Sequence, residues 1–298
     1  MATSTSVTSN YKGEFAGKYF ASAINEAVTI KNGLVSIRPN IKYKSTVKKV
    51  ALSNGTTDFT CDFTPGGSVT LTEVILEPKK LMVPMQLCKE DFVADWEAAS
   101  MGLGANNENL PAQFSDFLIG RILATEANTI DSNIWTGSGA TDGEFGGILN
   151  DVAGSSISVT YSAVTAANIV NTLQAVLDAV PDAVLGAADF KIVVAPNVAR
   201  AYTRALSTSG YLNQYSVGEK PLDFEGYELN VVPNLPAGTI VAYQVGNIWF
   251  GTGLMNDFQS IEILDMHDKD LSDNVRIKMV YTAGVKVVYP GEVVLHKA

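Results

Sequence analysis

Histidine and cysteine are nearly missing from this chain. Its 298 residues include two histidines, His267 and His296, and two cysteines, Cys61 and Cys88. A Ser-His-Asp triad would have to use one of those histidines, and His296 has no acid beside it. His267 sits in Asp265-Met-His-Asp268-Lys-Asp270, which can be drawn as the start of a calcium loop at Asp268. Such a loop needs glycine at its sixth position and glutamate at its twelfth; Asp273 and Met279 stand there. A solvated acidic turn between two strands is the expectation. The cysteine spacing suggests neither a disulfide framework nor a zinc site, so two reduced thiols are expected.

Charge is scarce as well. Charged residues make up 17% of the chain, against about a quarter in an average domain. Positive charge is the scarcer sign: 21 Lys and Arg against 31 Asp and Glu leave a net charge of −10. Direct nucleic-acid binding needs a basic footprint to neutralise phosphates, and this balance argues against it. Lys42, Lys44, Lys48 and Lys49, with Lys79 and Lys80 later, read as solvated strand faces. No apolar run approaches the ~18 residues of a membrane span. The first ten residues are polar and uncharged, unlike a signal peptide. Synthesis in the cytoplasm is the expectation.

Phosphate and nucleophile motifs fail too. Gly137-Ser-Gly139 lacks the third glycine of a dinucleotide fingerprint, since Asp142 stands in its place. There is no Walker-type lysine loop and no G-x-S-x-G elbow. A carboxylate pair meets in space and not in spacing, so an unrecognised hydrolase remains a rival reading. No catalytic residue, cofactor or metal site is assigned.

What is present is an ordinary apolar share, 46%, set in periodic patterns. A chain this long buries roughly three quarters of its unfolded surface. Low charge on such a chain implies that partners cover much of its surface.

Along the chain, Tyr11 to about Ala27 has helical spacing, and Leu34–Arg38 and Ile41–Lys44 are short extended stretches around Pro39. Residues 46–77 read as hairpin material, with turns at Asn54-Gly55 and Pro65-Gly66-Gly67. The strands there carry few large apolar residues, and such a hairpin is marginal alone. Glu90–Ala99 reads as a short helix and Met101–Asn109 as a loop. The clearest helix follows Pro111: Phe114, Phe117, Leu118, Ile122, Ala127, Ile130 and Ile134 recur at three- and four-residue steps. Gly137 lies just past its end. A second amphipathic helix spans Thr165–Val180. Phe190–Val194 is a buried strand, Pro196 opens a helix to about Leu206, and residues 207–220 form a polar loop. Strands are expected at Tyr227–Val232, Ile240–Val245, Ile248–Phe250, Ser260–Asp265 and Asn274–Tyr289. In the last, Val275, Ile277, Met279 and Tyr281 alternate with Arg276, Lys278 and Val280.

Four of these stretches, in this order, resemble the major capsid proteins of tailed double-stranded-DNA phages, whose fold is shared with encapsulins and the herpesvirus capsid floor. They are the N-terminal arm with its long hairpin (about 46–78), the long helix running through Trp135-Thr-Gly-Ser-Gly into Phe145-Gly-Gly-Ile-Leu149, the stretch Phe224-Glu-Gly-Tyr to Gly238 with Val245-Gly-Asn-Ile-Trp-Phe250, and the ending Val275 to Leu295. The resemblance implies an α+β fold of four parts. These are an N-terminal arm (1–45), an extended β-hairpin loop (46–80), a discontinuous peripheral domain (81–148 and 252–298) with a spine helix at about 111–135, and an axial domain (149–251). It implies a structural subunit, not an enzyme, that assembles with itself as hexamers and pentamers into an icosahedral head. That head encloses DNA without sequence-specific binding, in a virion made in a bacterial cytoplasm. Portal, scaffolding and decoration proteins are the implied partners. The hairpin begins near residue 46, so scaffolding is expected from a separate protein. An encapsulin-type compartment, or a tail or decoration protein, are the rival assemblies. Hairpin-region lysines Lys48, Lys49, Lys79 and Lys80 are the candidate contacts to another subunit, with Asp265, Asp268, Asp270 and Asp273 as their acidic partners.

Overall fold

The computed structural model describes residues 27–53, 55–56, 58–59, 61, 66–88, 112–159, 163–208, 222–253, 262–272 and 274–297. The helix expected over Glu90–Ala99, the loop after it, and all but the last residue of the expected Tyr11–Ala27 helix lie outside these residues.

The alternating strand is the axis of the first sheet. β12 (Asn274–Val287) buries Val275, Ile277, Met279 and Tyr281 and leaves Arg276 and Lys278 exposed, as its alternation predicts. One edge pairs antiparallel with β4 (Lys79–Cys88). The other edge pairs at its two ends with β11 (Glu262–Asp265) and β10 (Ile248–Thr252), both antiparallel. β1 (Ser36–Arg38) joins β10 in parallel and completes five strands. The second expected stretch at Ile41–Lys44 is not a strand; there Ile41 donates its N–H to the Thr252 carbonyl and turns in toward the sheet.

A 25-residue helix, α2 (Ala112–Thr136), serves this sheet; at 1.5 Å per residue it is about 37 Å long. Its Ile122, Ala127, Ile130 and Ile134 are buried, as their spacing predicts. α1 (Val28–Lys31) packs at its C-terminal half.

The second sheet has six strands, in the order β5 (Ile157–Ser158), β13 (Val294–His296), β9 (Ile240–Gln244), β6 (Phe190–Val194), β8 (Tyr227–Val231), β7 (Asp223–Phe224). β6 and β8 run parallel, joined through α6 (Pro196–Thr208). The nearly continuous apolar run of β6 is buried between neighbours on both sides. α4 (Ile169–Asp178) lays Ile169, Leu173, Val176 and Leu177 into the same core. One contiguous apolar core joins both sheets. β10 lies in the five-stranded sheet and β13 in the six-stranded one.

β2 (Ser45–Leu52) and β3 (Val69–Leu76) form a separate two-stranded hairpin. Its register corrects the turn expected at Asn54-Gly55. Leu52 faces Val69, the Ser53 N–H donates to the Ser68 carbonyl, and a Cβ on Gly55 would lie 2.7 Å from the Gly66 carbonyl oxygen. The two chain segments beyond the strands are therefore still side by side at Gly55, and its glycine serves their close approach.

Candidate assembly surface

The hairpin stands on a seat made of two glycines. Gly251 on β10 and Gly284 on β12 are direct cross-strand partners. A Cβ at Gly251 would come within 2.9 Å of Leu76 Cδ2, and one at Gly284 within 2.8 Å of Pro78 Cα. Lacking side chains there, the sheet lets the root of the hairpin lie against bare backbone. Leu76 is 1% exposed in consequence. Lys49 adds a cation–π contact, its Nζ 4.6 Å from the Tyr289 ring centroid, and Lys44 pairs with Glu77 at 3.0 Å.

Beyond the root, the two faces of the hairpin differ. The register puts Val47, Val74, Lys49, Thr72, Ala51 and Thr70 on the face continuous with Leu76. The opposite face carries Ile75, Val50, Leu71, Leu52 and Val69, all exposed, with the cross-strand pair Lys48 and Glu73 among them. Leu52 is 73% exposed, and Val69 and Leu71 are 65% exposed each. An apolar stripe in solvent carries a cost unless something covers it. The few large apolar residues expected from sequence are divided by the register: Leu76 is buried at the root, and Ile75, Val50, Leu71, Leu52 and Val69 share the exposed face.

A second exposed face lies on the five-stranded sheet, away from its buried side. Met82, Pro84 and Gln86 of β4, Arg276 and Lys278 of β12, and Glu262 and Leu264 of β11 line a groove of about 420 Å³. Glu262 and Lys278 are cross-strand partners, and Arg276 Nε donates to Gln86 Oε1 at 2.9 Å.

The four candidate lysines do not share one setting. Lys48 and Lys80 are exposed. Lys49 rests on Tyr289, and Lys79 Nζ donates to the carbonyl oxygens of Glu144 at 2.9 Å and Thr141 at 3.4 Å. Asp265 ends β11 and accepts the His267 N–H at 3.1 Å. Asp268 and Asp270 fall on the short helix α7 (His267–Asp270); their side chains and Asp273 lie outside the described residues.

The loop that receives Lys79 explains the glycines after α2. Gly137 and Gly147 fold back on the last helical turn, Gly147 N–H bonding to the Gly137 carbonyl at 2.8 Å. A Cβ on Gly137 would lie 2.1 Å from the Phe145 carbonyl oxygen, so no other residue fits. Glu144 Oε2 accepts from the Ser138 hydroxyl at 2.7 Å and from its N–H at 3.0 Å. Those bonds, the hydroxyl first, hold the Glu144 carboxyl below the usual range.

The same helix end holds a buried polar junction that the sequence did not reveal. Asp131, 1% exposed, accepts the Thr29 N–H at 2.9 Å and an Asn234 Nδ2 hydrogen at 3.0 Å. Trp135 Nε1 donates to Thr29 Oγ1 at 2.8 Å, and the Tyr243 hydroxyl donates to the Leu34 carbonyl at 2.9 Å. Residues 29–34, α2 and both sheets meet there. His296, buried in β13, has its Nδ1 3.0 Å from the Gly238 carbonyl oxygen, a structural position. Among the described residues no group of three His, Cys, Asp or Glu could hold a metal ion.

No protein-family model matches the sequence, and no curated protein matches it. Solved structures do. A chain from the capsid of a native GTA particle superposes with a TM-score of 0.63 at 14% identity, over 91% of this chain and 90% of that one. A chain from the cyanophage A-1(L) capsid gives 0.62 at 12% identity, over 90% and 92%. A chain from Mycobacterium phage Che8 gives 0.55 at 15% identity, over 93% and 90%. At these identities the likeness is one of fold, and it extends over nearly the whole length of both chains. The α+β architecture described above is the fold of tailed-phage major capsid proteins.

Proposed function

We propose that this chain is a structural subunit, not an enzyme, and that many copies assemble into the icosahedral head of a tailed phage around its double-stranded DNA. The observation that carries the reading is the hairpin. It is rooted firmly on the glycine seat, yet it holds out a stripe of apolar residues that its own subunit does not cover. A neighbouring subunit covering that stripe would complete a core that one chain cannot. The whole-length likeness in fold to chains of assembled capsids supports this.

Hexamers and pentamers of such a subunit would form the shell, with a portal, a separate scaffolding protein and decoration proteins as further partners. Lys48 and Lys80 are the exposed members of the lysine set, and they would reach acidic groups of a neighbour. Asp265 and the acidic turn after it are the partners proposed. Each exposed pair would contribute little, and repetition over a shell would make the sum matter. The net charge of −10 suits a wall that confines DNA without gripping it.

Electron microscopy of the concentrated, purified protein tests the reading. Closed shells are the expected result. A monomer under all conditions would overturn it, and tubes would point to a tail protein. Shells carrying tails or packaged DNA separate a phage head from a compartment filled with enzyme.

A further inference from the structure

Two large apolar side chains outside the hairpin stand almost wholly in solvent. Tyr43 and Leu271 are each 84% exposed. We infer that they meet across a joint between two copies, the Leu271 tip of one subunit packing on the Tyr43 ring of the next. This rests on the self-assembly reading and gives the acidic turn an apolar anchor.

Tyr43 is held out by a pinned loop. The Asn40 N–H donates to the Gly253 carbonyl at 3.1 Å and the Ile41 N–H to the Thr252 carbonyl at 3.0 Å. Ile41 is buried, and Lys44 pairs with Glu77 at 3.0 Å. With the chain fixed on both sides of it, the ring can be covered with little further loss of backbone freedom. Tyrosine is also among the residues that most often dominate an interface.

Leu271 sits where a leucine is costly twice over. It closes α7 in the left-handed region, with φ 57° and ψ 21°. Glycine or asparagine commonly ends a helix that way, because a larger side chain is crowded there. The exposed side chain gains nothing from its own subunit to offset that strain. Strain of this kind persists where it serves a contact.

Charge chooses the pairing. Lys42 and Lys44 flank Tyr43, whereas Asp265, Asp268 and Asp270 precede Leu271, with Lys269 the one base among them. Copies of a chain with net charge −10 repel each other, and a basic loop set against an acidic turn reverses this locally. Tyr43 against Tyr43, or Leu271 against Leu271, would bring like charges together.

The two tips also lie at separate places on the sheet. Ile41 bonds beside Thr252, the cross-strand partner of Ala283, and Leu271 lies just before Asn274, where β12 begins. From Asn274 to Ala283 the strand runs roughly 30 Å at 3.3 Å per residue. One copy can therefore offer its ring to one neighbour and its tip to another. Such a heterologous joint generates rings when its rotation closes, as the proposed hexamers and pentamers require.

A double-mutant cycle tests the inference. Y43S removes the ring from an exposed loop. L271N removes the apolar tip, and asparagine tolerates the left-handed backbone. Both variants should keep the wild-type circular dichroism spectrum and should not lower the urea midpoint. Each should raise the concentration at which shells first form by about tenfold. The double variant should need no more than the weaker single variant, since each single change already removes the one shared contact. A lowered midpoint in either variant, shells at the wild-type concentration from either, or losses that multiply in the double variant would overturn the inference. Shells of the unaltered protein would then leave the self-assembly reading standing, and no shells from it would overturn both.

Discussion

Gly251 and Gly284 face each other across β10 and β12, and the root of the hairpin occupies the space their side chains would fill. The two contacts differ in kind. Gly251 looks at the end of the Leu76 side chain, whereas Gly284 looks at the backbone of Pro78. G284A should therefore destabilise the subunit by about 1–3 kcal/mol, the usual range for overpacking. G251A should cost less, because a leucine tip can swing aside. Urea midpoints of the two variants check the order, and equal losses would mean the seat is more compliant than it looks.

Trimming the hairpin separates folding from assembly. Replacing residues 48–73 by a short Gly-Ser turn keeps Leu76 and its seat. The described hairpin residues beyond the root are mostly exposed, so the trimmed chain should keep its unfolding free energy to within about 1 kcal/mol. Shells should be absent by electron microscopy. A trimmed chain that still closed into shells would remove the hairpin from the assembly surface.

Asp131 ties residue 29 to the middle of the chain. D131A leaves the buried Thr29 N–H and one Asn234 hydrogen without their acceptor, a loss of roughly 1–3 kcal/mol. D131N should cost nearly as much, since one amide hydrogen would then confront the Asn234 amide. Chemical denaturation of both variants, with protection of residues 27–34 followed by hydrogen exchange, is the check. An unchanged midpoint in D131A would show that the junction contributes nothing.

Glu126 predicts a dependence on pH. Desolvation raises its carboxyl above the ordinary value, and the bond from the Tyr281 hydroxyl at 3.3 Å offsets this only in part. A raised acid takes up its proton in the folded chain before the unfolded one. The stability it contributes is then fully present below the ordinary carboxylate range and is lost as pH rises through the raised value. E126Q can still accept from Tyr281 without carrying a charge. Its advantage over the native chain should be absent in acid, grow through that window and level off above it. Denaturation profiles of dilute subunits across this range test the sign; an advantage that shrank with rising pH would contradict it.

The elements that sequence revealed are those whose pattern is local. The alternation of β12, the three-and-four spacing of α2, the apolar run of β6 and the proline opening α6 each follow from a period or a breaker within one segment. What sequence hid depends on partners far along the chain. Asn54-Gly55 has turn chemistry, but Gly55 lies against the backbone of Gly66 from the returning segment. Gly251 and Gly284 look like ordinary strand glycines until the register pairs them. Asp131 reads as one more polar residue on a helix, and only the arrival of Thr29 and Asn234 makes it an anchor. Of the candidate contact residues, Lys49 and Lys79 have settings within their own chain that composition could not foretell.

The chain passes between its two sheets at Val245–Asn247 and again just after β12, and Asn247 clasps these passages together. Its side chain donates to the Tyr289 carbonyl at 2.9 Å and accepts the Tyr289 N–H at 2.6 Å. Because one side chain holds both backbone groups of Tyr289, the two crossings cannot slide past each other without breaking both bonds. Lys49, resting on Tyr289, places the hairpin's root directly on this clasp.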